Sequence, residues 1–166
     1  MNYVTEEGNQ VPSLYEWLGG AEVLNALMVK FYERVSADEL LRPLFGAMPA
    51  DHPRHVADFV GAVMGGSQAY TLSRGGHVTM LAHHFGRNIS EAQRRRWVNL
   101  LLDSADEIGL PSDPEFRSAL VAYLEWGSRL AVMNSKLPTG TVADPATPMP
   151  KWGWGVPGGP YRPEQE

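Results

Sequence analysis

Met80-Leu-Ala-His-His-Phe-Gly-Arg-Asn-Ile-Ser90 sets two adjacent histidines at the end of a short apolar segment, with Trp97 following soon after. His77 to His84 is long enough for about two turns of helix. Gly86-Arg-Asn then interrupts it. Ser90-Glu-Ala-Gln93 is a capping-box pattern, serine at the cap and glutamine three residues on, so a new helix opens there and carries Trp97 in its second turn. A histidine at such a break, flanked by apolar residues, can present a ring nitrogen to something held between helices. His83 and His84 cannot both point inward, because neighbours on a helix face different directions. His84 is taken as the ligand candidate, and His83 lies nearer the surface.

Outward from this stretch the chain reads as helices. Ser13-Leu-Tyr-Glu16 is another capping box and opens a short helix that Gly19-Gly20 ends. From Ala21 the apolar positions Val23, Leu24, Leu27, Met28, Phe31, Tyr32 and Val35 form one helical stripe. Asp38 to Pro43 reads as a single turn that Pro43 stops, and Leu44-Phe45 forms a corner. Asp51 caps a helix with Pro53 in its first turn and Val56, Phe59, Val60 and Val63 on its buried face. Gly65-Gly66 ends it, and residues 67–76 form a long connection. Behind Ser90, Trp97, Leu101, Ala105 and Ile108 share a stripe that stops at Gly109. Asp113-Pro114 then starts a long helix reaching Asn134–Lys136. No stretch alternates with a period of two, so the fold class is all-α, with about six helices.

Residues 1–12 read as a loose leader and 13–136 as the helical domain. Residues 137–166 hold seven of the chain's 13 prolines and five of its 17 glycines. Such a segment cannot build a core of its own. Yet Trp152, Trp154, Val156 and Tyr161 give it an aromatic and apolar content unusual for a disordered tail. It is expected to lie extended against the domain or a partner.

Composition narrows the function classes. With 166 residues the chain can bury one real core. It has no cysteine, which excludes disulfides, thiolate metal sites and a cysteine nucleophile. The net charge of −5 argues against a nucleic-acid surface. Arg94-Arg95-Arg96 is the one basic run, and it reads as a solvated helix face. No apolar run approaches the ~20 residues of a membrane span, and the acidic, polar start does not resemble a targeting peptide. A cytoplasmic location is expected.

The five histidines are His52, His55, His77, His83 and His84. His52 and His55 fall on one side of a helix and, with His84, would supply the three nitrogens of a zinc site. They also read as helix-start surface residues, or as one side of a haem pocket with His84 on the iron. Tyr32 shares the buried stripe, so its hydroxyl needs a partner, either a backbone carbonyl or a small polar ligand. The Trp97 indole N–H is costly to bury unmet.

Taken together, Phe31-Tyr32, Phe45, Gly19-Gly20, Gly65-Gly66, His84 and Trp97 resemble a group II truncated haemoglobin over about Ser13 to Ser135. The spacings carry it: Tyr32 to Phe45 is 13 residues, and so is His84 to Trp97. The resemblance implies a two-over-two helical sandwich around one haem b. It matches His84 to the proximal iron ligand, Tyr32 to the distal tyrosine and Trp97 to the tryptophan that closes the distal side. Phe45 matches the corner aromatic on the haem. His52, Val56 and Phe59 match distal-helix positions lining the pocket, with His52 as a catalytic acid–base candidate. His55 matches a haem-edge site able in some relatives to reach the iron. Phe31, His83 and Leu101 complete the expected cofactor contacts. Two positions depart from the pattern: His83 stands where a basic residue is usual, and Gly86 where a proline is usual.

The function implied is binding of O2 or related diatomics, with peroxidase-like or NO-consuming redox chemistry favoured over O2 transport. Its partners would be O2, NO or peroxide and an electron-donor protein, on a monomer or homodimer. The alternatives are a specialised haem oxidoreductase acting on a small substrate and a haem-free globin-fold interaction module.

Overall fold

A computed structural model describes residues 3–4, 10–66, 76–156 and 158–160. The described helices are α1 (Leu14–Leu18), α2 (Ala21–Ala37), α3 (Arg42–Phe45), α4 (His52–Val63), α5 (Gly76–Ala82), α6 (Glu91–Glu107) and α7 (Pro114–Ser135). Three of the four cap signals operate as their chemistry requires, while Asp51 before α4 makes no side-chain cap bond and pairs with His55. Ser13, Ser90 and Asp113 each accept a backbone N–H of the first turn, and Ser90 with Gln93 completes a reciprocal capping box. Gly19 ends α1 in the left-handed region at φ +118°, where its N–H reaches back to the Glu16 carbonyl.

The apolar stripe of α2 is the centre of the molecule. Leu24, Leu27, Met28, Phe31, Tyr32 and Val35 are all buried along it. It packs chiefly against α4 and α6, while α6 packs on α7. The result is two helix pairs, α2 with α4 and α6 with α7, closed over one core. Phe31 on α2 and Phe116 on α7 are fully buried in it, each contributing ~2–3 kcal/mol by removal from water.

Four local expectations change. The leader is not wholly loose: Tyr3–Val4 pairs antiparallel with Gln10–Val11 as two very short strands, Tyr3 opposite Val11. Too few residues are involved for a period of two to show in the sequence. The turn expected over 38–43 becomes two parts. Asp38 accepts the N–H groups of Leu40 and Leu41 through its Oδ1, and α3 begins only at Arg42. Pro43 therefore sits at a helix start, where its missing N–H costs nothing, and does not act as a stop. The arginine run is not one solvated face. Arg94 is buried, bonded to Glu91, Glu125 and Ser128, while Arg96 pairs with Asp38 at 2.6 Å. Finally, α5 ends at Ala82, so His83 and His84 occupy the turn after it. The 67–75 part of the long connection lies outside the described residues.

The Pro/Gly-rich segment is laid against the helices. The Trp152 N–H donates to the Val63 carbonyl and its indole to the Ala119 carbonyl. Its ring packs on Tyr123 and Trp126 of α7. Trp154 is buried, edge-on to Trp17, and donates to the Pro12 carbonyl at 2.8 Å. Val156 is exposed, and Tyr161 is outside the described residues.

Candidate functional site

A cavity of about 690 Å3 opens between α2, α4, α5, α6 and α7, within the range of small-molecule and cofactor pockets. Tyr32, Trp97, His52, Phe45, His55, Val56, Phe59, Leu101, His83 and His84 all line it. Residues separated by up to 69 positions in sequence thus meet at one space, carried there by four helices and one turn.

On one side stand Tyr32, Trp97 and His52. Burial raises the Tyr32 pKa above its usual value, and the neighbouring Trp97 indole, which can only donate, opposes that rise. Tyr32 Oη can thus accept from Trp97 while its own O–H donates elsewhere. The His52 ring lies edge-on to Tyr32 and Phe45 at 4.8 and 6.2 Å. Its Nε2 is buried with no hydrogen-bond partner among the described residues. Burial, then the nearby His55 and His83, lowers the His52 pKa and favours the neutral ring.

Phe31 does not reach this space. It is fully buried and lies edge-on to both Tyr32 and Trp97 at 4.8 and 5.3 Å. Its place immediately before Tyr32 on α2 turns its ring away from the cavity. It therefore backs Tyr32 and Trp97 and is not among the residues lining the cavity.

On the other side is His84. It is half-buried, and burial followed by the neighbouring His83 brings its pKa down to about 4. The nearby Met80 backbone carbonyl partly opposes that shift. His83 is exposed, as its position beside His84 requires. His55 Nε2 is engaged by Asp51 Oδ2 at 2.8 Å, which places it as an edge residue.

Two lining residues escaped the sequence reading. Arg87 Nε donates to the His83 carbonyl at 3.0 Å, so a guanidinium joins His83 and His55 at the same end of the cavity. His77 is buried at the other end of α5, stacked on Phe59 with 15° between rings, and its Nδ1 has no partner among the described residues. His77 and His84 are seven residues apart, two turns on one helical face. That spacing was the available signal for His77. Arg87 gave none beyond its nearness to the histidines.

Gly86 also finds its reason. It has φ +78° and donates its N–H to the Leu137 carbonyl at 2.7 Å. Proline has neither that φ nor an N–H. Thr139 occupies the space a Cβ would need.

The residues present fit a haem b. The walls are mainly apolar, His84 would supply an imidazole to the iron, and the unpartnered His52 Nε2 and the Tyr32 hydroxyl would meet a small ligand. The zinc alternative does not assemble: no group of three or more histidine or acidic side chains among the described residues is placed to hold a metal ion. Nor is any described helix long and apolar enough to cross a membrane.

Comparison with known proteins agrees with this geometry. The chain matches the Bacterial-like globin family over residues 13–126. The group 2 truncated hemoglobin YjbI of Bacillus subtilis is 31% identical over 129 residues, which cover 78% of this chain and 95% of that protein. The X-ray structure of a truncated oxygen-avid haemoglobin from Bacillus subtilis aligns with a TM-score of 0.65 at 30% identity, covering 73% of this chain and 99% of that one. The group II truncated hemoglobin of Bacillus anthracis shares the fold with a TM-score of 0.68 at 23% identity, over 80% of this chain and 98% of that one. This chain belongs to the group II truncated haemoglobins, two-over-two globins that bind haem b and small diatomic ligands such as O2.

Proposed function

We propose that this globin holds haem b through His84 and retains bound O2 for redox chemistry, peroxidase-like or NO-consuming, in preference to transporting it. The carrying observation is that the buried Tyr32 phenol and the partly buried Trp97 indole line the same cavity as neighbours. The iron, when bound, supplies coordination of the diatomic and one-electron chemistry. The remaining work belongs to side chains. Tyr32 donates from Oη to the ligand, and Trp97 Nε1 either supports that oxygen or turns to donate alongside it. Each such bond in a dry site is worth ~1–3 kcal/mol, so two of them slow ligand escape by about one and a half to four orders of magnitude. A carrier needs ready release, and this arrangement opposes it.

His52 adds a second capacity. As a neutral imidazole with an unpartnered Nε2 it can accept a proton at that atom from a peroxide and return it to the departing oxygen. At the cavity's end, Arg87, His83 and His55 suit the carboxylates of the cofactor. Repeated turnover requires electrons, so an electron-donor protein belongs to this reading.

Stopped-flow kinetics on the purified ferrous protein test it. O2 dissociation is expected to be slow and to accelerate about 10- to 100-fold in Tyr32→Phe. The oxygenated protein should consume NO faster than it releases O2. Rapid release from the wild type, unchanged in Tyr32→Phe and without NO or peroxide turnover, would return the protein to the carrier class.

A further inference from the structure

The segment bearing His84 is too short to hold itself in place. α5 has seven residues, well under the ~12–15 at which an isolated helix becomes even marginal in water. It ends two residues before His84, and the backbone that follows is tied to the far end of the chain. The Gly86 N–H donates to the Leu137 carbonyl at 2.7 Å, and the Asn88 N–H to the Ser135 carbonyl at 2.9 Å. The Ile89 N–H donates to Ser135 Oγ at 2.9 Å. Lys136 Nζ donates to both Asn88 Oδ1 and the Ile89 carbonyl, at 2.9 and 2.8 Å. Thr139 then fills the space left by the missing Cβ of Gly86. The family match ends at residue 126, so one half of this junction lies wholly beyond it.

We propose that Ser135–Thr139 is a clamp that positions His84 on the cofactor iron. The proposal rests on His84 being the axial ligand. The path is short. Arg87 N–H donates to the His84 carbonyl at 3.2 Å, so the turn containing His84 is continuous with the clamped residues. The clamp fixes the backbone that follows His84, and so sets the tilt at which the imidazole would be presented to the iron. Gly86, Ser135, Lys136 and Thr139 are positioning residues in this account, since none of them lines the cavity. The start of the Pro/Gly-rich segment thereby gains a role that packing alone would not require.

The iron–histidine stretching band of the ferrous, ligand-free, full-length holoprotein reads the tilt directly in resonance Raman. Ser135→Ala/Lys136→Met removes three of the junction's bonds and is expected to shift and broaden that band. Haem transfer to apomyoglobin should quicken by about tenfold, the effect of one charge-assisted hydrogen bond. Gly86→Ala should perturb the band further, and Thr139→Gly added to it should recover part of the change. Lys136→Met alone alters one exposed side chain, so it decides the matter if the double variant does not fold. An unmoved band in the clamp variants, with the band lost in His84→Ala, overturns the clamp and leaves the ligand assignment standing. A band that persists in His84→Ala overturns the ligand assignment itself.

Discussion

The two walls of the haem cavity are built by different physics. The tyrosine wall comes from α2, α4 and α6, of 17, 12 and 17 residues. These helices are buried against each other, and their large rings interlock: Phe31 meets Tyr32 and Trp97, and Tyr32 meets Phe45 and His52. Helices of that length owe their position to their own apolar faces. The histidine wall comes from a seven-residue helix and a turn, held by bonds to Ser135, Lys136 and Leu137. The first wall is set by packing and the second by attachment. Ligand retention should therefore depend on few side chains on the tyrosine side. Cofactor retention should depend on one histidine and on contacts remote from it in sequence.

The sharpest way to break that contrast is at the paired histidines. His84→Ala is expected to abolish stable haem binding, while His83→Ala keeps it with a near-normal Soret band. Absorption spectra of the two purified variants decide it. The reverse result would move the ligand to the exposed ring and remove the reason for the clamp.

A smaller effect should appear with pH. Burial lowers the pKa of both His52 and His77 from the ordinary 6.5. Each group is then protonated more readily in the unfolded chain than in the folded one. Stability is fully present above about 6.5 and is lost as pH falls through the lowered folded values. Urea denaturation of the holoprotein between pH 7 and 5 should show this decline, and His77→Gln should flatten it. Because His77 stands on the attached wall and His52 on the packed one, comparing His77→Gln with His52→Gln shows which wall yields first. A slope unaltered by either variant would place the titrating groups elsewhere.

The packed wall was the more legible in sequence, for the same physical reason. Long helices write a stripe at regular spacing, so α2, α4, α6 and α7 could be read, the last two with their caps, and Tyr32, Trp97 and His52 could be placed on them. The attached wall writes no such pattern. The bonds of Gly86 to Leu137 and of Asn88 to Ser135 join residues about 50 apart, and nothing periodic marks them. Gly86 showed only as a departure from the family's proline. Its cause is the strand of chain crossing beside it. Arg94 was misread because a run of three like charges looks solvated, and its burial depends on Glu125 and Ser128 in another helix. The pairing of Tyr3–Val4 with Gln10–Val11 was missed because two residues per strand are too few to alternate. Phe31 backs Tyr32 without lining the cavity, because helical geometry sends adjacent side chains to different faces.

Phe31 supplies the finest test of the packed wall. Replacing it with leucine keeps an apolar side chain but removes two edge-to-face ring contacts and leaves a small void. The expected cost is about 2 kcal/mol of stability, measured by urea denaturation. Because Phe31 is absent from the cavity lining, O2 dissociation should change by less than about threefold, far below the Tyr32→Phe effect. Tyr32 would still be held by the rings of Phe45 and His52. If Phe31→Leu accelerated O2 release as strongly as Tyr32→Phe, the phenol's position would rest on Phe31 alone. The interlocked rings would then be a single support, and the contrast between packed and attached walls would lose its basis.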